Sequence, residues 1–408
     1  MTHMQINMIK SDSFNFYVGD YELLCDMKNV PVLPMFSDKV VDFLSELSNV
    51  LLKNSNNRSM VDVYSYAYWI RRASLNIART KHKGYEDRLG RGIAFHVAPS
   101  NIPVNFAVSM TSSLLAGNVT CIRVSNKKFK QVDVICKAIN YLIANEFGYM
   151  RRYLCIFQYE HSEAVTQWLS DMCDVRVIWG GDRTVKTIRR AALPSRSIEL
   201  AFSDRYSLAL IDADKYLNSR EDKGAIARGF YNDTYYSDQN ACSSPRLIVW
   251  LGAANRVSEA KEIFWAELHR LAEQDYDMKP IQSIDKWNSF CELAMKGFPA
   301  HLISGDNLIV RIKIDSLSED IFRYKNGGGY FFEYDAKKLE DIIPALGKKC
   351  QTISFYGVNK SVIKKLVFNS GVRGVDRIVP MGHTMGLEFI WDGYKMIEAM
   401  SRVVYLND

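Results

Sequence analysis

Gly92-Ile-Ala-Phe-His-Val-Ala98, Val119-Thr-Cys-Ile-Arg-Val124, Leu154-Cys-Ile-Phe-Gln-Tyr159 and Val175-Arg-Val-Ile-Trp179 are four short apolar runs in the first half of the chain. Each is too short for a helix and rich in β-branched or aromatic residues, which predicts buried strands. Between the second and third, Val132, Ile135, Ile139 and Leu142 fall on one helical stripe, stopped near Gly148. Strand runs alternating with helical stripes are the pattern of βαβ units and a mostly parallel sheet, an α/β fold class. Ligands on such sheets bind at the carboxyl ends of the strands, so the residues just after each run are the first to inspect.

Working outward, residues 1–35 read as an irregular, partly extended lead-in, with Pro31 and Pro34 breaking any helix. Ser37 then caps a helical stretch with Val40, Leu44, Leu47 and Leu51 on one face. On the other side, Leu208–Asp212 is followed by a polar, Tyr-rich segment and then by Pro245–Leu251. A long amphipathic helix follows, with Ala260, Ile263, Phe264 and Leu268 in register. A domain change is expected between about 200 and 207, where the alternating block ends. Gly327-Gly328-Gly329 lacks the Lys-Ser/Thr of a phosphate-cradling loop and reads as a flexible turn.

The composition is that of a globular protein, 48% hydrophobic and 24% charged, and 408 residues suffice for two cores. A net charge of +6 is small at this length, and pairs such as Lys127-Lys128, Lys337-Lys338 and Lys364-Lys365 read as solvated faces, so no nucleic-acid partner is expected. Eight cysteines form no C-x-x-C pair, and no His stands at zinc-ligand spacing from another ligand, so no metal is expected. Met1 to Lys10 lacks the apolar region of a signal peptide, and no apolar run nears the roughly 20 residues of a membrane span. Reduced thiols in a cytoplasmic protein are the expectation.

Three segments carry candidate chemistry. His96-Val-Ala-Pro-Ser-Asn101-Ile-Pro103 follows the first run and places Asn101 where its amide can face a developing oxyanion. The plainer reading is an Asx-turn before Pro103. Val175–Trp179 ends in Gly180-Gly181-Asp182 and opens a helical segment, a place for a phosphate on a helix N-terminus. A tight turn with Asp182 as N-cap is the alternative. Ser237-Asp-Gln-Asn-Ala-Cys242-Ser-Ser-Pro245 sets Cys242 in a polar, small-residue loop that enters a strand. Such a setting suits an accessible thiolate, whereas Cys121, Cys136, Cys155 and Cys173 sit in or beside apolar elements, as packing residues do.

In this order the segments resemble the aldehyde dehydrogenase superfamily, and within it the fatty-acyl reductase family (LuxC) of bacterial bioluminescence operons. The likeness is carried by His96 with Asn101-Ile-Pro103, Trp179-Gly180-Gly181-Asp182, Asp238-Gln-Asn-Ala-Cys242-Ser-Ser-Pro245, Val375-Asp-Arg-Ile-Val-Pro-Met-Gly382 and Trp391-Asp392-Gly393. It spans roughly residues 90–405; the N-terminal segment matches least, and the chain is shorter than the bioluminescence enzymes. The resemblance implies two α/β domains: an NAD(P)-binding domain over 1–204 with a return segment about 384–408, and a catalytic domain over 205–383. It makes Cys242 the nucleophile and Asn101 an oxyanion donor, with the Cys242 backbone N–H as the second. Gly180 and Gly181 would lie against the cofactor pyrophosphate, and Arg123 and Ser125 would stand beside the adenosine ribose. NADPH is the implied cofactor, with NADH as the other nicotinamide allowed.

The function so implied is NADPH-dependent reduction of a long-chain fatty-acyl-CoA, or of an acyl-protein thioester, to the fatty aldehyde through an acyl-Cys intermediate. The partners implied are that thioester donor, an acyl-protein synthetase and further copies of the chain in a homo-oligomer. Two alternatives stay open. One is a hydrolytic aldehyde dehydrogenase, which needs a general base to activate water; the superfamily's Glu-Leu-Gly-Gly segment is here Glu199-Leu-Ala-Phe202, and Glu199 receives no role. The other is a non-catalytic or acyl-transferring subunit of an acyl-activating complex.

Overall fold

In the computed structural model all four apolar runs are strands. They are β3 (Ile93–Val97), β4 (Val119–Arg123), β5 (Leu154–Gln158) and β6 (Val175–Trp179), preceded by β1 (Asn15–Val18) and β2 (Arg88–Gly90) and followed by β7 (Ile198–Phe202). Every residue of β3 and β6 is buried, because helices cover both faces of the sheet. The sheet order is β1-β5-β4-β3-β6-β7, parallel except for β1. From β3 the chain winds outward through β4 to β5, then returns to the other side of β3 for β6 and β7. The reversal lies between β3 and β6, and a crevice opens at the carboxyl ends of two such strands.

The structure describes residues 9–407, in two compact units: Met1–Ser203 with Leu387–Asp408, and Asp204–Gly386. In the first unit, α1 (Asp38–Lys53) buries Val40, Leu44, Leu47 and Leu51 as its spacing predicts. Ser37 occupies its N-cap, but the hydroxyl makes no capping bond. Helices α2 (Asn105–Leu115), α3 (Lys130–Ala144) and α4 (Glu163–Met172) link successive strands, and α5 (Asp182–Ile188) follows β6. The α3 stripe Val132, Ile135, Ile139 and Leu142 is buried.

The lead-in is partly extended, as read, but more regular than expected. Its residues 1–8 lie outside the described ones, but Asn15–Val18 adds an antiparallel edge strand to β5. Phe14 packs edge-on against Phe157 at 5.3 Å, and Asp20 caps the short helix Tyr21–Asp26 by accepting from Leu23 N at 2.9 Å. The alternation of aromatic and polar residues in Phe14–Val18 is the signal; the prolines that obscured it act only further on.

The second unit holds a seven-stranded sheet. Its strands are β8 (Tyr206–Asp212), β9 (Pro245–Leu251), β10 (Ala300–Gly305), β11 (Val310–Ile314), β12 (Tyr330–Ala336), β13 (Cys350–Tyr356) and β14 (Arg377–Pro380). The order is β10-β11-β12-β9-β8-β13-β14, with only β10 antiparallel to its neighbour. Helices α6 (Lys223–Thr234), α7 (Ala254–Asp275) and α8 (Pro280–Met295) belong to this unit. On α7, Ala260, Phe264 and Leu268 are buried as predicted, and Ile263 is partly so.

The return segment completes the first unit. Ser401–Val403 pairs antiparallel with β2, and Asn118 Nδ2 donates to Met400 O at 3.0 Å. Trp391 approaches Trp179 at 6.4 Å, on a hairpin whose turn residues Asp392 and Gly393 both have positive φ. Paired positive φ is what a two-residue hairpin turn requires, and Asp-Gly supplies it.

Gly117 marks a close approach of two backbones in the first unit. Its φ is +91°, and a Cβ there would overlap the carbonyl oxygen of Leu33. Gly117→Ala is expected to cost about 2 kcal/mol or more, read as a lower urea midpoint by tryptophan fluorescence. Gly181→Ala, at φ −61° with nothing within 4 Å of the added methyl, should leave that midpoint nearly unchanged.

Candidate active site

The first unit gathers its candidate residues at the carboxyl edge of its sheet. Asn101 is exposed on the loop between β3 and α2. Arg123 ends β4, with its guanidinium 4.8 Å from the Tyr159 ring centre and a buried Nε that has no hydrogen-bond partner. Ser125 follows; its hydroxyl oxygen accepts from Lys127 N at 3.2 Å, and its carbonyl accepts from Gln158 Nε2. Gly180 and Gly181 leave β6, and Gly181 rather than Asp182 takes the N-cap position of α5. Gly180 N donates to Phe202 O at 3.1 Å, while the space beside the Gly181 Cα is open.

Beneath that edge lies a buried polar chain. Trp179 Nε1 donates to Ser109 Oγ at 3.0 Å, and Ser109 Oγ shares a 2.7 Å hydrogen bond with His96 Nδ1. His96 Nε2 is buried without a partner, and burial pushes the imidazole down to about 3. It is neutral at ordinary pH, and it ties β3 to α2 and β6.

In the second unit Cys242 is partly exposed and lies just before β9, at the amino edge of its sheet. It is not alone in being accessible: Cys25 is also partly exposed and Cys291 is exposed. What sets Cys242 apart is the loop that carries it. Asp238 and Gln239 have φ of +51° and +57°, a conformation disfavoured outside glycine, Asn and Asp. The strain is offset by the fully buried Gln239 side chain. Its Nε2 donates to Pro245 O (3.0 Å) and Tyr330 O (3.2 Å), and its Oε1 accepts from Gly329 N (2.9 Å) and Tyr330 N (3.1 Å). That side chain thus fastens the loop to β9 and β12 at once. Ser207 Oγ donates to Cys242 O at 2.7 Å and fixes that cysteine's own backbone.

The glycine run is not the flexible turn the sequence predicted. Gly327 and Gly329 face backbone so closely that a Cβ would overlap Asp238 O or Leu308 O, and Gly328 N donates to Asp238 O at 3.0 Å. Lys286, buried on α8, caps Gly328 O at 2.7 Å and also donates to Asn307 O; burial pulls its ammonium down to about 8. The run is glycine because the loop that carries Cys242 rests on it.

A second support comes from α6. The buried Asp233 carboxylate accepts from Gly382 N (2.6 Å) and Thr384 N (2.9 Å), and burial pushes its pKa up against those bonds. Met385 in the same segment receives the Ser243 hydroxyl at 3.8 Å, one residue from Cys242. Among the described residues no cluster of His, Cys, Asp or Glu has metal-site geometry, and no helix is long and apolar enough to cross a membrane.

The family profile for acyl-CoA reductase (LuxC) matches residues 6–403. The chain belongs to this family. The match takes in the N-terminal segment, where the sequence resemblance was weakest. A long-chain acyl-protein thioester reductase of Aliivibrio fischeri is 23% identical over 301 residues, 72% of this chain and 58% of the relative. Another, of Photorhabdus laumondii subsp. laumondii, is 22% identical over 317 residues, 74% of this chain and 60% of the relative. These matches therefore span less than two thirds of either relative. A solved lactaldehyde dehydrogenase superposes with a TM-score of 0.64 at 13% identity, covering 95% of this chain and 90% of that one. The LuxC-family chain thus has an aldehyde-dehydrogenase-like fold.

Glu199, left without a role by its sequence, has a structural one. Its Oε2 receives Arg176 Nη2 at 2.6 Å and Nε at 2.9 Å, and its Oε1 receives Arg189 Nε at 2.6 Å. It pairs with Arg176 near the start of β7, away from the carboxyl edge. Arg176 was legible as a charge inside the apolar run Val175–Trp179, and Arg246 likewise inside Pro245–Leu251.

Two outcomes follow. Gln239→Leu leaves four backbone groups without partners and should lower stability by about 3 kcal/mol, seen as a lower denaturation midpoint of the second unit. His96 binds a proton near pH 6.5 when unfolded but only near 3 when folded. Its contribution is therefore complete above pH 6.5 and lost as pH falls towards 3. The slope of stability against pH across that window should flatten in His96→Asn; an unchanged slope would count against a buried neutral imidazole.

Proposed function

We propose that this chain reduces an acyl thioester to an aldehyde, with Cys242 as the nucleophile. The observation that carries the reading is a partly exposed thiol on a loop whose backbone is fixed from three sides, by Gln239, the glycine turn and Ser207. A nucleophile so held loses little freedom on reaching the attack geometry.

The Cys242 thiolate attacks the acyl carbonyl; the donor thiol leaves and takes a proton, and the acyl group stays on Cys242. Hydride addition to that thioester carbon gives a thiohemiacetal, which releases aldehyde and regenerates the thiol. Both additions put negative charge on the former carbonyl oxygen. Asn101 and the Cys242 N–H are proposed as its donors, each supplying about 3 kcal/mol by analogy with other oxyanion holes.

A nicotinamide cofactor, when bound, supplies the hydride. The residues of the first unit fit such a group. Gly181 leaves open space at the end of β6, next to the winding reversal between β3 and β6. Arg123 brings a cation with an unpartnered buried Nε to the end of β4, and Ser125 has a hydroxyl hydrogen still free to donate. On this reading Gly180 and Gly181 take the pyrophosphate, Arg123 and Ser125 the ribose, and Arg123 favours NADPH through a 2′-phosphate.

The relatives' names supply the substrate class, a long-chain acyl group on a protein thioester; a fatty-acyl-CoA presents the same reacting bond. Hydrolytic oxidation is the weaker reading, since both Glu199 oxygens are engaged by arginines.

Purified protein should oxidise NADPH with tetradecanoyl-CoA or a tetradecanoyl-protein thioester and release tetradecanal. Cys242→Ser should abolish this while retaining cofactor binding by fluorescence, and Asn101→Ala should lower kcat about a hundredfold. Glu199→Gln should keep its thioester reduction. Full turnover in Cys242→Ser would end the assignment, and failure of wild type to bind either nicotinamide would favour an acyl-transferring subunit.

A further inference from the structure

Arg246 is the second residue of β9, four positions after Cys242, and its side chain is buried. Its Nη1 donates to Asn326 O and its Nη2 to Gln239 O. Those partners are neutral carbonyls. They satisfy donors without cancelling a charge, and a buried cation with no anion among its hydrogen-bond partners is costly.

The other charged groups at this edge of the sheet have hydrogen-bond partners of their own. Asp204 receives Lys325 Nζ at 2.8 Å, Arg205 pairs with Asp376, and Asp238 accepts from Tyr276 Oη at 2.7 Å. Lys286 on α8 is spent on the carbonyls of Gly328 and Asn307.

Resting on the assignment of Cys242 as nucleophile, we infer that Arg246 is a positioning residue that holds Cys242 as a thiolate. The same guanidinium does two things. Through Gln239 O and Asn326 O it ties the loop before the nucleophile to the segment before the glycine turn, and its charge makes the anionic sulfur favourable. The coupling is mutual: burial lowers the Arg246 pKa to about 10, and the Cys242 anion is the foremost influence opposing that fall, ahead of Asp204. A charge on Cys242 that favours the guanidinium is favoured by it in return.

The test is the rate of iodoacetamide alkylation at Cys242 from pH 5 to 9, resolved by peptide mass spectrometry so that Cys25 and Cys291 are scored separately. Arg246→Gln removes the charge but keeps an amide donor for the two carbonyls; Arg246→Lys keeps the charge. Arg246→Gln should move the midpoint up by about one pH unit or more, which is about tenfold slower alkylation below the midpoint. Arg246→Lys should alkylate within about threefold of wild type. A folded Arg246→Gln protein with the wild-type midpoint overturns the inference. Should Arg246→Gln not fold, Arg246→Lys decides: a retained midpoint supports the role, and a rise of about one unit or more overturns it. The alkylation profile is read without thioester or cofactor, so a protein that fails to reduce thioesters would defeat the proposed function and leave this result standing.

Discussion

A parallel sheet covered by helices on both faces has no surface to offer a ligand except where its strands begin and end. Both units of this chain are built on such sheets, and everything chemical in them is pushed to an edge. In the first unit the loops beyond β3, β4 and β6 share the carboxyl edge, where the winding reverses. In the second the cysteine sits at the opposite, amino edge, just before β9. An amino edge has no reversal crevice that arises from topology alone. The loop there must be shaped by its own side chains, which explains why Gln239, Arg246, Ser207 and three glycines converge on a few residues around Cys242.

That contrast also explains which parts were legible beforehand. Continuous apolar runs declare buried parallel strands, so β3 to β6 could be read within a residue or two, and of the helices that link them the α3 stripe. The rule that ligands gather after such runs led to Asn101 and Gly180-Gly181, whereas Arg123 and Ser125 came from the family resemblance. It could not lead to Cys242, which precedes a strand; that residue was picked out by its polar loop and by family resemblance. The glycine run was misread because a sequence shows the freedom of glycine and not the carbonyls it must pass. The same three residues that permit a loose turn also permit the closest approach of two backbones.

Long-range charge partners were the least visible layer. Arg176 and Arg246 interrupt apolar strands, and such an interruption announces a buried cation. It does not say which distant group answers it. Glu199, twenty-three positions from Arg176, resembles a displaced catalytic base until its two arginines are placed around it. Pairing across neighbouring strands is set by register, and register appears only with the folded sheet.

The return of Leu387–Asp408 to the first unit carries a consequence for biosynthesis. The pairing of Ser401–Val403 with β2, and the burial of Ile397 and Met400, need residues made after the whole of the second unit. At roughly 5–20 residues per second on a ribosome, Met1–Ser203 must wait on the order of ten seconds or more while Asp204–Gly386 is translated. During that interval β2 and the core above Asn118 are open to other strands. The first unit to be started is thus the last of the two to close, and its seam lies between β2 and the return segment.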